Sequence, residues 1–123
     1  MSDRFRFRCW DKDRKCFLRD DEFVICPDGE DSYFNADYDL GDFIIEQCTG
    51  LKDKNGKLIY EGDIVKCRYY DNFDGTERES VGRVYWHKED CAFYIFISLE
   101  EEIGFYGNSI EVIGNIHENP ELL

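Results

Sequence analysis

The chain has 123 residues, a length that suits one compact domain and is too short for two independent ones. Its content of 42 % hydrophobic and 16 % aromatic residues predicts a folded protein and excludes a disordered one. With 28 acidic and 15 basic side chains, the net charge of −13 disfavours binding to nucleic acid or anionic membranes, because phosphate groups need local positive charge. No apolar run approaches the roughly 20 residues of a membrane span, and residues 1–6 lack the apolar core of a signal peptide, so we expect a cytoplasmic protein without membrane contact.

Apolar and polar side chains alternate over residues 4–10, which predicts a strand with one buried face. A polar turn at 11–14 and a returning strand at 15–18 follow it. Arg4, Arg6 and Arg8 share one side of the predicted strand with Trp10. Residues 20–50 reverse the charge, with ten acidic side chains and no lysine or arginine. We expect the arginine side to lie beside this acidic stretch, since opposite charges attract across strands, or to remain solvated surface charge.

The rest of the chain contains further short strands separated by turn signals. Asn55–Gly56 predicts a hairpin with a type I′ turn, and Gly62–Asp63 predicts a second turn. Asn119–Pro120 predicts a capped helical turn that continues to Leu123. The pattern as a whole favours a small all-β barrel or sandwich of mixed β structure. Strands are predicted near residues 23–26, 43–48, 64–70, 81–86, 91–97 and 108–112, with a polar loop at 71–79 and glutamates 100–102 exposed or ending a strand.

Six cysteines occur without the features of a disulfide or metal framework. Nothing directs the chain to an oxidising compartment, and the closest two, Cys9 and Cys16, are too far apart in sequence for a typical pair of metal ligands. Most have apolar or aromatic neighbours, as Cys91 does. We interpret them as reduced, small buried residues with a structural role. The six are Cys9, Cys16, Cys26, Cys48, Cys67 and Cys91.

Three stretches of the sequence resemble the YopX family of phage and prophage proteins. They are F-R-C-W-D at 7–11, T-G-L-K-D-K-N-G-K at 49–57 continuing through I-Y-E-G-D-I-V at 59–65, and I-E-V-I-G-N-I at 110–116 followed, after the variable position 117, by E-N-P-E-L-L at 118–123. Their order and spread predict a single YopX-like domain over 1–123, with N-terminal strands and an acidic loop in 1–50. The resemblance implies an SH3-like barrel in 51–123, self-association and a bacterial host cell. It implies no particular activity.

No motif predicts chemistry, so we expect no catalytic, metal-binding or cofactor-binding residues and no enzyme activity. Asp53–Gly56 lacks the spacing of a calcium loop and is better interpreted as a hairpin turn. His87 and His117 are expected to be ordinary or exposed histidines. Aromatic faces of small barrels bind peptides or RNA, although aromatic residues more often pair across strands or fill the core. The candidate partner-binding residues are therefore Tyr69, Tyr70, Tyr85 and Trp86.

The leading hypothesis is a non-enzymatic phage or prophage accessory protein. It would contact itself as a homo-oligomer, or a basic host or phage protein attracted by the acidic stretch. A second hypothesis is a DNA mimic whose carboxylates imitate phosphates and block a nucleic-acid-binding host protein. A third is an SH3-like nucleic-acid-binding module, disfavoured by the net charge, that would use Arg4, Arg6 and Arg8 or Lys52, Lys54 and Lys57.

Overall fold

The structure, a computed structural model, describes residues 6–19, 23–24, 33–34, 43–70, 74–98, 101–105 and 109–123. Within these ranges the chain forms eleven β-strands and one short 3-10 helix, which confirms the all-β prediction and the C-terminal turn. No helix in the described ranges has the length and apolar content needed to cross a membrane. The strands are β1 (Phe7–Asp11), β2 (Cys16–Phe17), β3 (Phe23–Val24), β4 (Tyr33–Phe34), β5 (Phe43–Lys52), β6 (Leu58–Tyr60), β7 (Asp63–Tyr70), β8 (Glu77–His87), β9 (Ala92–Ser98), β10 (Glu101–Ile103) and β11 (Ser109–Asn115), and the 3-10 helix is Pro120–Leu122.

The strands form two main sheets and a separate pair. A four-stranded sheet has the order β2-β1-β5-β6, a five-stranded sheet has the order β10-β9-β8-β7-β11, and β3 pairs with β4. All of these pairings are antiparallel. Strand β5 runs across residue 50, where the sequence suggested a division of the chain. The division into 1–50 and 51–123 and the closure of the second part as an SH3-like barrel stay predictions.

The main hydrophobic core lies on one face of the five-stranded sheet. Val65 on β7, Val84 on β8 and Ile95 on β9 are almost fully buried there, because alternate residues of neighbouring strands point to the same side. Ile110 on β11 is buried in the same core and Val112 packs against it, as their alternation predicted. A smaller cluster under β1 contains Cys9, Leu18 and Phe43.

The hairpin between β5 and β6 forms where it was predicted, but the prediction of a type I′ turn is wrong. A type I′ turn needs positive φ at both central residues. Gly56 has φ +84, whereas Asn55 is not among the described residues with positive φ. The connection is longer because the Asp53 carboxylate organises it: Oδ1 accepts hydrogen bonds from the backbone N–H groups of Asn55 and Lys57, both at 2.9 Å.

The cysteine prediction is confirmed in part. Cys9, Cys48 and Cys67 are buried thiols, and Cys26 lies outside the described residues. Cys16 and Cys91 are exposed, so the expectation of burial was wrong for them. Cys91 has φ +50 in the turn that precedes β9. Its apolar neighbours belong to the strand, and their burial does not extend to the turn.

Three element boundaries differ from the sequence prediction. Strand β8 begins at Glu77, so it includes the end of the predicted loop at 71–79. Residues 101–103 form the short strand β10 on the edge of the sheet. Asn119 precedes the 3-10 helix, but it provides no side-chain cap. Its Oδ1 instead accepts a hydrogen bond from the backbone N–H of Asn115 at 3.2 Å.

Candidate functional site

Polar residues from two motif stretches, and one from the variable position of the third, meet where the two main sheets contact each other. Arg8 lies on β1, Asp63 begins β7, and His117 follows β11. Glu46 on β5 lies directly opposite Arg8 in the strand register, so the pairing of β1 and β5 brings it to the same place. We call Arg8, Glu46, Asp63 and His117 the junction cluster.

The Arg8 guanidinium is the centre of the junction cluster. Its Nε donates to Glu46 Oε1 at 3.0 Å, and its Nη1 donates to Asp63 Oδ1 at 2.7 Å. Its Nη2 donates to the backbone carbonyl of Glu61 at 3.2 Å. The three side chains are 16 %, 5 % and 3 % exposed for Arg8, Glu46 and Asp63, so these charge-assisted hydrogen bonds are largely shielded from water. The predicted pairing of the arginine side with the acidic stretch is confirmed at Arg8.

Aromatic rings enclose the same guanidinium. The rings of Phe17 and Tyr60 lie 4.7 and 4.9 Å from the Arg8 Cζ, within the range of cation–π contacts. Trp10 stacks on His117 with centroids 4.8 Å apart and an interplanar angle of 11°. These rings form one wall of the junction cluster and exclude water from its charges.

His117 is buried, contrary to the expectation that allowed it to be exposed, and its side chain is 8 % exposed. Its Nε2 lies 3.2 Å from Glu46 Oε2 without the alignment of a hydrogen bond. The contact is therefore electrostatic and attractive when the imidazole is protonated.

Gly62 allows the junction cluster to close. It has φ +86, and a β-carbon at this position would overlap the carboxylate of Glu46. Its N–H donates to the carbonyl of Val84 at 2.8 Å, and its carbonyl accepts from the N–H of Ile116 at 2.9 Å. The predicted Gly62–Asp63 turn thus contacts both β8 and the segment after β11 while leaving space for Glu46.

Burial dominates the electrostatics of the two carboxylates. Desolvation raises the pKa of Glu46 and the pKa of Asp63, and the nearby Arg8 charge opposes the rise in both. The Arg8 guanidinium bonds to Glu46 on the four-stranded sheet and to Asp63 on the five-stranded sheet, an arrangement suited to holding the two sheets together. The part of the chain that the structure describes contains no group of three or more histidine, cysteine, aspartate or glutamate residues placed to hold a metal ion.

Asp53 is another buried carboxylate that joins separate elements. Its Oδ2 accepts a hydrogen bond from the N–H of Val112 at 2.9 Å, which ties the β5–β6 hairpin to β11. Burial acts to raise the pKa of Asp53, but the N–H donors of Val112, Lys57 and Asn55 outweigh it and the pKa is lowered. Sequence analysis identified the position of the hairpin correctly, but it missed this link between distant strands.

The four aromatic residues predicted to bind a partner divide between the two faces of the five-stranded sheet. Tyr69 packs against the main core, and Trp86 lies on the same side, edge-on to Phe93 at 4.9 Å. Tyr70 and Tyr85 point to the opposite face, since each is the chain neighbour of one of the first two. Tyr70 is 70 % exposed and Trp86 is 42 % exposed, whereas Tyr69 and Tyr85 are half-buried. The structure therefore does not bring the four together.

Tyr85 belongs to a small polar–aromatic group that includes His87. Its hydroxyl donates to Glu102 on β10, and burial together with that carboxylate raises the pKa of Tyr85 to about 12. His87 lies edge-on to Tyr94 at 5.1 Å, and the Tyr94 hydroxyl donates to Asp90 at 2.9 Å. His87 is 20 % exposed, in agreement with its interpretation as an ordinary histidine.

The YopX family model matches residues 6–123. The chain belongs to the YopX family. It is also similar to the crystal structure of protein EF1440 from Enterococcus faecalis, with 31 % identity, a TM-score of 0.59 and coverage of 96 % of both chains. A search of the curated proteins finds no match.

Sequence analysis found the motifs of this YopX protein but not the cluster that they form. Arg8 and Asp63 each lie inside a motif stretch, and that shared membership was the available signal for them, whereas His117 occupies the variable position of the third stretch. Glu46 lies outside the motifs, among ten acidic residues, and nothing adjacent to it marks it as the partner of Arg8. Only the register of β1 against β5 identifies it.

Proposed function

We propose that this YopX-family protein is a non-enzymatic accessory protein of a phage or prophage, acting in the bacterial cytoplasm through contact with itself or with another protein. The observation that carries the proposal is that the junction cluster serves the fold. This most concentrated set of buried charges in the described chain consists of groups bonded to one another across two sheets. Such groups are occupied in holding the fold together, which favours a rigid scaffold that presents a surface.

The exposed aromatic residues provide the surface for this proposal. Tyr70 and Trp86 expose 70 % and 42 % of their area from long antiparallel strands of the five-stranded sheet. Tyrosine and tryptophan are enriched among the residues that dominate protein–protein binding energy, and a rigid strand holds them at low entropic cost. They lie on opposite faces, so each would contribute to a different contact.

Light scattering coupled to size-exclusion chromatography, together with affinity capture from host lysate, tests the proposal. We expect either self-association or a captured protein, and we expect the Tyr70→Ser or Trp86→Ser substitution to weaken it by about tenfold or more. Leu123→Ser is the matched control, since Leu123 is 61 % exposed and lies at the C-terminus, beyond the sheet. A strict monomer that captures no protein would contradict the proposal.

A further inference from the structure

His117 reaches from one main sheet to the other at the junction cluster. It follows β11 of the five-stranded sheet, and its ring contacts three strands of the four-stranded sheet. The ring stacks on Trp10 of β1, lies edge-on to Phe17 of β2 with centroids 6.0 Å apart, and places its Nε2 3.2 Å from Oε2 of Glu46 on β5. The imidazole is 8 % exposed, so these contacts are largely shielded from water.

The Nε2 atom of His117 is a buried nitrogen without a hydrogen-bond partner among the described residues. In the neutral ring this atom carries either a hydrogen or a lone pair. A hydrogen on Nε2 is misaligned with the Glu46 oxygen and stays unbonded, whereas a lone pair faces an ionised carboxylate and is repelled by it. Beside an ionised Glu46, both neutral forms of the ring therefore carry an unfavourable contact.

One proton added to this pair relieves the unfavourable contact. On His117 it makes the ring a cation, whose attraction to the carboxylate at 3.2 Å does not require the alignment of a hydrogen bond. The cation also gains from stacking on the Trp10 ring, which is nearly parallel to it at 11°. On Glu46, the proton instead removes the negative charge that the lone pair faces, and burial, which raises the pKa of Glu46, favours this arrangement.

The charges of the junction cluster also favour one added proton. Arg8 contributes one positive charge, and Glu46 and Asp63 contribute two negative charges when both are ionised. With a neutral His117 the cluster therefore has a net charge of −1, and with one more proton it is neutral. A buried site without net charge costs less to desolvate than a charged one.

The other charged residues that flank the cluster are nearer to the surface. Glu61 and Glu118 have partners of their own, since Glu61 accepts the backbone N–H of Gln47 at 3.0 Å and Glu118 accepts from the Asn115 side chain at 3.1 Å. Exposed charges are screened by solvent and salt, so the buried groups dominate the electrostatics around His117. The flanking residues are Arg6 on β1, Lys57 before β6, Glu61 after β6 and Glu118, of which Glu61 is half-buried and the others are exposed.

We propose that His117 and Glu46 hold one proton between them in the folded protein, and that this proton holds the segment after β11 against the four-stranded sheet. The junction thus responds to pH, because the contact between the sheets is firm with the proton and weaker without it. The direction follows from linkage: a proton that the folded chain binds more tightly than the unfolded chain stabilises the fold as pH falls. The inference does not depend on the proposed function.

Urea denaturation of the full chain between about pH 6 and pH 8 provides the first test, since histidine is the side chain that ordinarily titrates there. One linked proton changes the unfolding equilibrium constant by at most about tenfold per pH unit. We expect the wild-type constant to rise by about threefold or more from pH 6 to pH 8, and by less than about 1.5-fold in His117→Gln.

His87→Gln is the matched control for this test, because the chain has two histidines and both lie near carboxylates. The imidazole nitrogens of His87 are 3.8 Å from Asp90 and 3.7 Å from Glu102, but these carboxylates are 54 % and 43 % exposed, so their charges are screened. We expect His87→Gln to keep the pH dependence of the wild type. The same pH dependence in His117→Gln as in the wild type, or its loss in His87→Gln alone, would overturn the inference.

Glu46→Gln tests whether the proton belongs to the pair. Glutamine keeps the size of the side chain but removes its charge. We expect Glu46→Gln to lose the pH dependence as His117→Gln does, and the double variant to lose no more than either single variant, because the two residues hold one proton. Additive losses in the double variant would contradict a shared proton.

Hydrogen exchange of the wild type provides a measurement that needs no variant. The Ile116 N–H donates to the Gly62 carbonyl at 2.9 Å and reports on the segment after β11, whereas the Lys54 N–H donates to the Ile110 carbonyl at 3.0 Å, away from the cluster. Local opening of a terminal segment costs less than global unfolding, so the two amides report separate events. We expect the protection factor of Ile116 to fall by about threefold or more from pH 6 to pH 8, and that of Lys54 to fall less. A fall at Ile116 no larger than that at Lys54 would overturn the inference.

Discussion

Replacement of Arg8 by methionine tests whether the junction cluster holds the two sheets together. Methionine preserves much of the aliphatic stem between Phe17 and Tyr60 but removes the charge that compensates Glu46 and Asp63. Both carboxylates are at least 95 % buried, so they would be left as uncompensated buried charges. Breaking a buried ion pair on one side costs about 3–5 kcal/mol, a large part of the roughly 5–15 kcal/mol that stabilises a domain.

The dependence of this loss on pH follows from the two carboxylates. Burial already raises the pKa of Glu46 and Asp63 above their unfolded values, and removing Arg8 raises them further. A carboxyl group with a raised folded pKa favours folding when it is protonated and loses that contribution as pH rises through the folded pKa. The deficit of Arg8→Met relative to wild type is therefore largest at neutral pH and becomes smaller as pH falls through the folded pKa of these carboxylates.

Urea denaturation monitored by tryptophan fluorescence measures the effect, since Trp10 is 7 % exposed and lies beside the cluster. Arg68→Met is the control: Arg68 also pairs with a glutamate, but its side chain is 63 % exposed, and we expect little change. Arg8→Lys should fall between the two, because lysine keeps the charge without the planar fork that reaches both carboxylates. A loss for Arg8→Met no larger than that for Arg68→Met, or one that grows as pH falls, would refute the role assigned to Arg8.

Two further predictions concern single residues. Gly62→Ala should destabilise the protein more than Gly56→Ala: both carry the cost of a left-handed alanine, about 1–2 kcal/mol, but only at Gly62 would the new methyl group overlap Glu46, whereas at Gly56 nothing lies within 4 Å. Equal urea midpoints for the two variants would contradict this. Asp53→Asn should cost about 1–3 kcal/mol at neutral pH, because the ionised carboxylate accepts three backbone hydrogen bonds. Because the folded pKa of Asp53 is lowered, its contribution to stability is present above the unfolded pKa and is lost as pH falls through the folded pKa. The thermal midpoints of the wild type and the variant should therefore converge in acid. A difference between the midpoints that persists in acid would count against this account.

The sequence by itself determined the class of structure. Alternation of apolar and polar residues predicted most of the strands, because a period of two is a local property of an extended chain. Gly62 and Gly56 were correctly placed in turns for the same reason, since positive φ is a property of one residue. The exposure of Cys91 could not be predicted from its neighbours in this way. Its apolar neighbours belong to β9, whereas Cys91 lies in the preceding turn and is exposed.

Only the tertiary structure decided which charges are paired and buried. Arg8 contacts Glu46 and Asp63 across separations of 38 and 55 residues, and the choice of these carboxylates from 28 acidic residues depends on strand register and on how the two sheets meet. Tyr69 and Tyr70, equivalent in sequence, lie on opposite faces of β7, and only the packing of the core shows which one is exposed. Local pattern specifies backbone geometry, whereas contacts between distant residues depend on the packing of the whole chain.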